Sequence, residues 1–230
     1  MAGCELILFD CDGVLVDSEI ICATVEAEAL KPYGLNIEPA VFAGRFAGLS
    51  WPAIQKRVEE ELGRELPDTL GAEVERECDA RLAAQVTPIS GVHDLLDNLD
   101  QPRAICSNSS SQRLEMELKR TDLWDRFRPF VYSANDVRDG RGKPDPDVYL
   151  HAADEFGIDP SKCAVIEDSV HGVTAAVHAG MRVTGFIGGS HSYTGHGEQL
   201  MDAGAETVIR RLADFSEVVA AFEIWDGLPE

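Results

Sequence analysis

The stretch that most constrains this chain is Leu6-Ile7-Leu8-Phe9-Asp10-Cys11-Asp12-Gly13, where four consecutive apolar residues run into two carboxylates and a glycine. A short apolar run closed by a turn signal fits a parallel strand covered on both faces. Asp10 then stands where the strand stops, and open α/β sheets collect ligands at the carboxyl ends of their strands. Two readings of the carboxylates are open at this point. Asp is a common turn former, and Asp10 and Asp12 can be no more than that. Alternatively, Asp10 is a nucleophile and Asp12 its acid/base partner, with other elements supplying metal, phosphate grip and lid.

The chain beyond this strand changes character twice. Residues 18–86 read as helices throughout: Glu19 to about Tyr33, stopped by Gly34; Pro39 to Phe46; a helix opened by Ser50-Trp51-Pro52 with Ile54, Val58 and Leu62 on one stripe; and about Pro67 to Ala84 with Leu70, Val74, Cys78 and Leu82. From Thr87-Pro88 onward helices and strands alternate. Strands are expected over Arg103–Cys106, Phe130–Ser133, Lys162–Ile166 and Val183–Ile187, with helices over Val92–Leu99, Gln112–Lys119, a segment ending near Phe156, and Val170–Ala179. Alternation of this kind implies a Rossmann-like α/β core, a parallel sheet with helices on both faces. The first strand belongs to that sheet, so residues 17–86 form an inserted all-helical domain, and residues 1–16 with 87–230 form the core. Hinges are expected near Val14–Asp17 and Val86–Ser90.

With 20 Lys and Arg against 41 Asp and Glu, the 230-residue chain carries a formal charge of −21. Nucleic acid and anionic membranes bind through basic residues, so neither is an expected partner. The six cysteines show no CxxC pair or metal-ligand spacing, which fits a reduced, cytoplasmic setting. No run reaches transmembrane length and no signal peptide is expected. An anionic substrate would need a local cation, which makes individual Lys and Arg residues within motifs informative. Oligomeric state has no signature in the sequence.

Four segments at or after strand ends carry chemistry: Asp10/Asp12, Ser107/Asn108, Lys143 in Gly142-Lys143-Pro144-Asp145-Pro146, and Glu167/Asp168. Each has a plain structural use: helix cap, surface lysine or solvated loop. Together they match what hydrolysis of a phosphomonoester demands. Such esters are intrinsically very slow to hydrolyse. Attack on them by a carboxylate needs charge neutralisation, which Mg²⁺ on oxygen ligands and a fixed Lys can provide. Ser107 and backbone N–H groups at a helix start can hold phosphoryl oxygens. A covalent aspartyl phosphate would split one hard step into two easier ones.

This ordered set resembles the haloacid dehalogenase-like superfamily, and within it the helical-cap subgroup related to β-phosphoglucomutase. The resemblance rests on Asp10-Cys11-Asp12-Gly13-Val14-Leu15-Val16-Asp17-Ser18-Glu19, Ser107-Asn108, Gly142-Lys143-Pro144-Asp145-Pro146 and Glu167-Asp168-Ser169 with Gly172 and Ala179-Gly180-Met181. It implies Asp10 as nucleophile, Asp12 as general acid/base, Ser107 and Asn108 near the phosphoryl group, and Lys143 bridging nucleophile and phosphate. It also implies Mg²⁺ on Asp10, the Asp12 backbone carbonyl and Asp168, with Glu167 ligating directly or through water. The helical insertion would be a cap that opens and closes over the site.

Asp12 narrows the chemistry to phosphate esters, because dehalogenases and phosphonatases of the superfamily lack a carboxylate there. The mutases of the subgroup carry an Arg after the cap's Gly-x-Ser, where this chain has Trp51, and a His where it has Cys22; hydrolysis is therefore favoured over a phosphosugar mutase. A non-enzymatic phospho-Asp or interaction protein is the remaining alternative. The segment Phe42-Ala43-Gly44-Arg45-Phe46-Ala47-Gly48, together with Val16-Asp17-Ser18-Glu19-Ile20-Ile21-Cys22, most resembles bacterial phosphatases acting on 6-phosphogluconate and related sugar phosphates. Arg45 is a candidate substrate contact, Lys56 either a contact or a surface charge, and Trp51 either a stacking or a packing residue. Cys11 should face away from the site by strand alternation. His191 and His196 lie in a Gly/Ser-rich loop with nothing to supply a third metal ligand, and are read as loop residues.

Overall fold

The alternating elements close into a parallel sheet in the computed structural model, which describes residues 3–46 and 49–225. Its strands are β1 (Leu6–Phe9), β2 (Arg103–Ser107), β3 (Val131–Ser133), β4 (Cys163–Glu167), β5 (Arg182–Phe186) and β6 (Thr207–Ile209), in the order β3-β2-β1-β4-β5-β6. Ile7 of β1 lies opposite Arg103 of β2 and Ala164 of β4. The chain lays β2 and β3 to one side of β1 and then returns to begin β4 on the other. That reversal opens a crevice at the carboxyl ends of β1 and β4, the switch point where such sheets bind ligands.

All four β1 side chains are fully buried, as a strand covered on both faces requires. Ile7 and Phe9 pack with helices α5 (Val92–Asp97), α6 (Ser111–Arg120), α7 (Trp124–Phe127) and α11 (Phe215–Trp225). Leu6 and Leu8 pack with α8 (Asp147–Phe156), α9 (Val170–His178) and α10 (His196–Asp202) on the other face. At about 1.5–3 kcal/mol per large apolar side chain, this strand alone contributes on the order of 10 kcal/mol, before the cost of ordering is subtracted. The site is thus mounted on a strand buried on both faces.

Four helices follow β1: α1 (Glu19–Leu30), α2 (Pro39–Phe46), α3 (Trp51–Leu62) and α4 (Leu70–Gln85). They bury a cluster of their own, including Leu30, Phe42, Ile54, Val58, Leu70 and Val74, and form a helical cap. The segments entering and leaving it are tied together. Asp17 N–H donates to Thr87 O at 2.9 Å, and Ile89 N–H donates to Leu15 O at 2.9 Å.

Some local expectations need correction. The first helix ends at Leu30, tightens into a turn over Lys31–Tyr33, and stops at Gly34 with φ 106°. The sequence reading assigned no element to α7, α10, β6 or α11. His196 opens α10 instead of lying within a loop. Ala47 and Gly48, part of the cap segment singled out above, lie outside the described residues. Cys11, Cys22, Cys78, Cys106 and Cys163 carry free thiols. Among the described residues no helix is long and apolar enough to cross a membrane.

Candidate active site

Asp10 leaves β1 still hydrogen-bonded to the sheet, its N–H donating to Ile166 O at 3.1 Å. The chain then folds back on itself, with Gly13 N–H on Val16 O at 2.8 Å and Val16 N–H on Cys11 O at 3.1 Å. Gly13 has φ +73°, and a Cβ there would lie 1.8 Å from Asp168 Oδ2, so both conformation and space demand glycine. Cys11 is fully buried in the sheet-side core, while Asp10 and Asp12 flank it.

Lys143 is delivered from the opposite side by the loop before α8. Asn108 clamps its backbone, Oδ1 accepting from Lys143 N–H at 2.8 Å and Nδ2 donating to Lys143 O at 3.3 Å. The ammonium is 2.6 Å from Asp10 Oδ1 and 2.6 Å from Glu167 Oε1. Glu167, at the end of β4 and with no exposed surface, is saturated by protein donors. Its Oε1 also accepts from the Tyr149 hydroxyl at 3.0 Å, and its Oε2 accepts from the Ser169 N–H and hydroxyl at 3.0 and 3.1 Å.

Asp12 faces three hydroxyls. Ser18 donates to its Oδ1 at 2.7 Å, and Ser107 and Ser109 donate to its Oδ2 at 3.2 and 2.7 Å. Asp168 is held at two points: His191 Nε2 lies 3.0 Å from its Oδ2, and His196 Nε2 lies 2.7 Å from its backbone oxygen.

The electrostatics follow from burying this many charges together. Burial raises the pKa of Asp10 well above the ordinary carboxylate range; Lys143 opposes the rise, and Glu167, Asp168 and Asp12 reinforce it. Burial disfavours the charge on Lys143, but Asp10 and Glu167 outweigh it and hold the ammonium charged. Burial likewise raises Asp168, with His191 opposing. Burial works against a charge on His191 too, yet its hydrogen bond to Asp168 lifts it to about 9. Four carboxylates therefore converge on two cations, Lys143 and His191, leaving the site short of positive charge.

That shortage suits a cation. Carboxylate oxygens of Asp10, Glu167 and Asp168 lie within 4.8 Å of one another. Among the described residues, Asp10 Oδ2 and Asp168 Oδ1 accept no protein hydrogen bond, whereas both Glu167 oxygens are occupied. Two available hard oxygens match the one or two carboxylates with which Mg²⁺ is typically held alongside phosphate and water.

The family described as haloacid dehalogenase-like hydrolase matches residues 4–180, a span that contains Asp10, Asp12, Ser107, Asn108, Lys143, Glu167 and Asp168. The chain belongs to the haloacid dehalogenase-like hydrolases. It is 31% identical over 193 residues to the 6-phosphogluconate phosphatase of Escherichia coli K12, covering 84% of this chain and 86% of that protein. It also resembles the crystal structure of a conserved haloacid dehalogenase-like protein from Agrobacterium tumefaciens, at 49% identity and TM-score 0.93, covering 96% and 100% of the two chains. A HAD family hydrolase from Deinococcus radiodurans, solved with bound phosphate and sodium, is 32% identical with TM-score 0.83, covering 97% and 98%.

Within this hydrolase the structure brings together Asp10, Asp12, Ser107, Lys143, Glu167 and Asp168. Asn108 is beside them, with its side chain committed to the Lys143 backbone. Arg45 lies in the cap, its guanidinium paired with Glu61 and 5.0 Å from the Phe46 ring. Lys56 is exposed, and Trp51 packs against Gly71. Sequence reasoning missed Ser109, Tyr149 and the contact of His191 with Asp168. Ser109 was visible as part of the Ser107–Ser111 run, whereas Tyr149 carried no signal beyond its helix.

Proposed function

We propose that the protein is a Mg²⁺-dependent phosphatase of a small phosphomonoester, a sugar phosphate such as 6-phosphogluconate, acting through an aspartyl phosphate on Asp10. The observation that carries the reading is the buried Lys143 ammonium shared by Asp10 and Glu167, with the Asp12 carboxylate two residues along the same loop. The names of relatives supply the substrate class: the Escherichia coli 6-phosphogluconate phosphatase and a hexitol phosphatase B of the same organism, 26% identical over 76% of this chain.

Asp10, steered by Lys143, attacks phosphorus; the bond to the leaving oxygen breaks, and Asp12 gives that oxygen a proton. Asp12 then takes a proton from water, which attacks phosphorus, breaks the bond to Asp10 and releases phosphate. Ser107, Ser109 and Ser18 hold the Asp12 carboxyl between these two tasks. Lys143 offsets charge on the transferring group, and Asn108 keeps its backbone in place. Mg²⁺ would be held by Asp10, Asp168 and the Asp12 backbone carbonyl, and it supplies Lewis-acid neutralisation of the phosphoryl oxygens. With both oxygens taken by protein donors, Glu167 fixes Lys143, and it would contribute to the ion's site through water and not directly. The cap excludes bulk water during transfer.

A phosphate-release screen over sugar phosphates, with Mg²⁺ and with chelator, tests this. Release that disappears with chelator is expected. Chelator-independent release would remove the metal from the account, and no release from any ester would favour an interaction protein. Glucose 1-phosphate with a bisphosphate activator belongs in the panel, because glucose 6-phosphate formation would indicate a mutase.

A further inference from the structure

The loop after β5 lies against the site without any part in the mechanism above. Ile187-Gly188-Gly189-Ser190-His191-Ser192-Tyr193 leaves the sheet with Ile187 N–H on Ile209 O at 2.9 Å. It is then fastened to the linker into the cap, where Asp17 accepts from the Ser190 N–H at 3.0 Å and from the Ser190 hydroxyl. Ser192 N–H returns to Gly189 O at 3.1 Å, closing a tight turn that carries His191 inward.

The imidazole of His191 occupies a slot made by two glycines. A Cβ on Gly189 would lie 2.7 Å from its Cε1 and Nδ1, and one on Gly13 would lie 2.8 Å from Cε1. Any larger residue at either position would push the ring out. The side chain is 10% exposed, and its Nε2 lies 3.0 Å from Asp168 Oδ2, itself 6% exposed. His196, whose ring is 5.6 Å from that of His191, holds the same residue by its backbone oxygen. Its other nitrogen faces the Ser192 hydroxyl at 3.3 Å, so Nε2 carries the proton donated to Asp168. Tyr193 stacks on His196 at 4.8 Å and 12° and packs against Gly44 of the cap.

We infer that His191 is a positioning residue for the metal carboxylate: its Nε2–H fixes Oδ2 of Asp168 so that Oδ1 is presented to a divalent cation. The inference rests on reading Asp10 and Asp168 as ion ligands. A buried carboxylate with one oxygen pinned loses rotational freedom before the ion arrives, so less is lost on binding. Outer partners of this type typically change metal affinity or activity by about 10–100-fold when removed. The Nε2 of His191 is spent on Asp168, and its buried Nδ1, packed against Gly189, has no hydrogen-bond partner among the described residues.

The test is Mn²⁺ binding to the metal-free full chain, followed by the resonance signal of the free ion. Mn²⁺ shares the charge and oxygen preference of Mg²⁺. His191→Leu should weaken Mn²⁺ binding by about 10–100-fold, and His191→Gln, which keeps a donor at that position, should recover most of it. His191→Ala, which places no apolar branch against Asp168, carries the same expectation as His191→Leu and serves if that variant does not fold. Wild-type affinity in both His191→Leu and His191→Ala would overturn the inference. A loss in His191→Gln as large as in His191→Ala would also overturn it, since filling the slot, not donating, would then be the role. Phosphate release by the wild type is measured alongside. Its absence with Mn²⁺ binding intact sinks the phosphatase reading and leaves His191 to be judged on affinity; absence of Mn²⁺ binding to the wild type sinks the His191 role.

Discussion

The strand ends of the core and the helical cap are built on opposite principles. In the core, Lys143, Asp10, Glu167 and Asp168 are all buried, and each is held by partners from a different element. In the cap the interior is apolar, and the charges pair on the outside: Arg45 with Glu61, Arg81 with Glu28 and Glu77. Buried charges without an exact complement cost several kcal/mol, whereas exposed pairs contribute about 0–1 kcal/mol. The core has therefore little freedom to vary, while the cap can change its polar surface cheaply.

The contrast can be broken most severely at Lys143. Replacing it by Met leaves Asp10 and Glu167 uncompensated, and should lower phosphate release by about 10²–10³-fold and stability at pH 7 by about 3 kcal/mol. The stability loss should shrink toward pH 5, because burial raises Asp10 and lets it take up a proton; denaturant unfolding at both pH values checks this. A Lys143→Met variant as stable as wild type at pH 7 would mean that the buried charges are not coupled.

A smaller effect is expected at Glu117 of α6, which is fully buried with neither carboxyl oxygen hydrogen-bonded. Burial, then repulsion from Asp12, raises it to about 10, with Arg113 opposing. The folded carboxyl keeps its proton up to about pH 10, while in the unfolded chain it is released near 4.5. Between these values the folded state binds more protons, so stability is fully present below about pH 4.5 and is lost as pH rises. Glu117→Gln removes that loss. It should stabilise by about 1–3 kcal/mol at pH 8 and by far less at pH 5, as thermal unfolding at the two pH values would show. A pH-independent difference would contradict the burial argument.

The smallest effect belongs to the cap. With its guanidinium engaged by Glu61, Arg45→Ala should change KM by less than about 3-fold and leave kcat unaltered, as an exposed pair implies. A tenfold rise in KM would place Arg45 in the substrate site and erase part of the distinction drawn here.

The same division explains what could be read from sequence. The β1 run, the helix-strand alternation and the order of Asp10, Ser107, Lys143 and Asp168 are local patterns, and the sheet follows from them. The contacts that make the site rigid are not local. Tyr149 reaches Glu167 only once α8 packs on the sheet, and Ser190 meets Asp17 across a sequence separation of 173 residues. His191 was passed over because a metal ligand set was sought around it, whereas its partner is a carboxylate of the core site. β6 has three residues and α7 four, too short for periodicity to register.

The central claim is covalent transfer to Asp10, and the most direct measurement is to trap it. An Asp12→Ala variant lacks the base for the second step but still releases 4-nitrophenolate, a leaving group that needs no proton. With 4-nitrophenyl phosphate and Mg²⁺ it should give a burst of one nitrophenolate per site. Acid quenching, borohydride reduction and mass spectrometry should then find homoserine in place of Asp10. Nitrophenolate release with Asp10 unmodified and no burst would contradict the account, and would leave water attacking the ester directly.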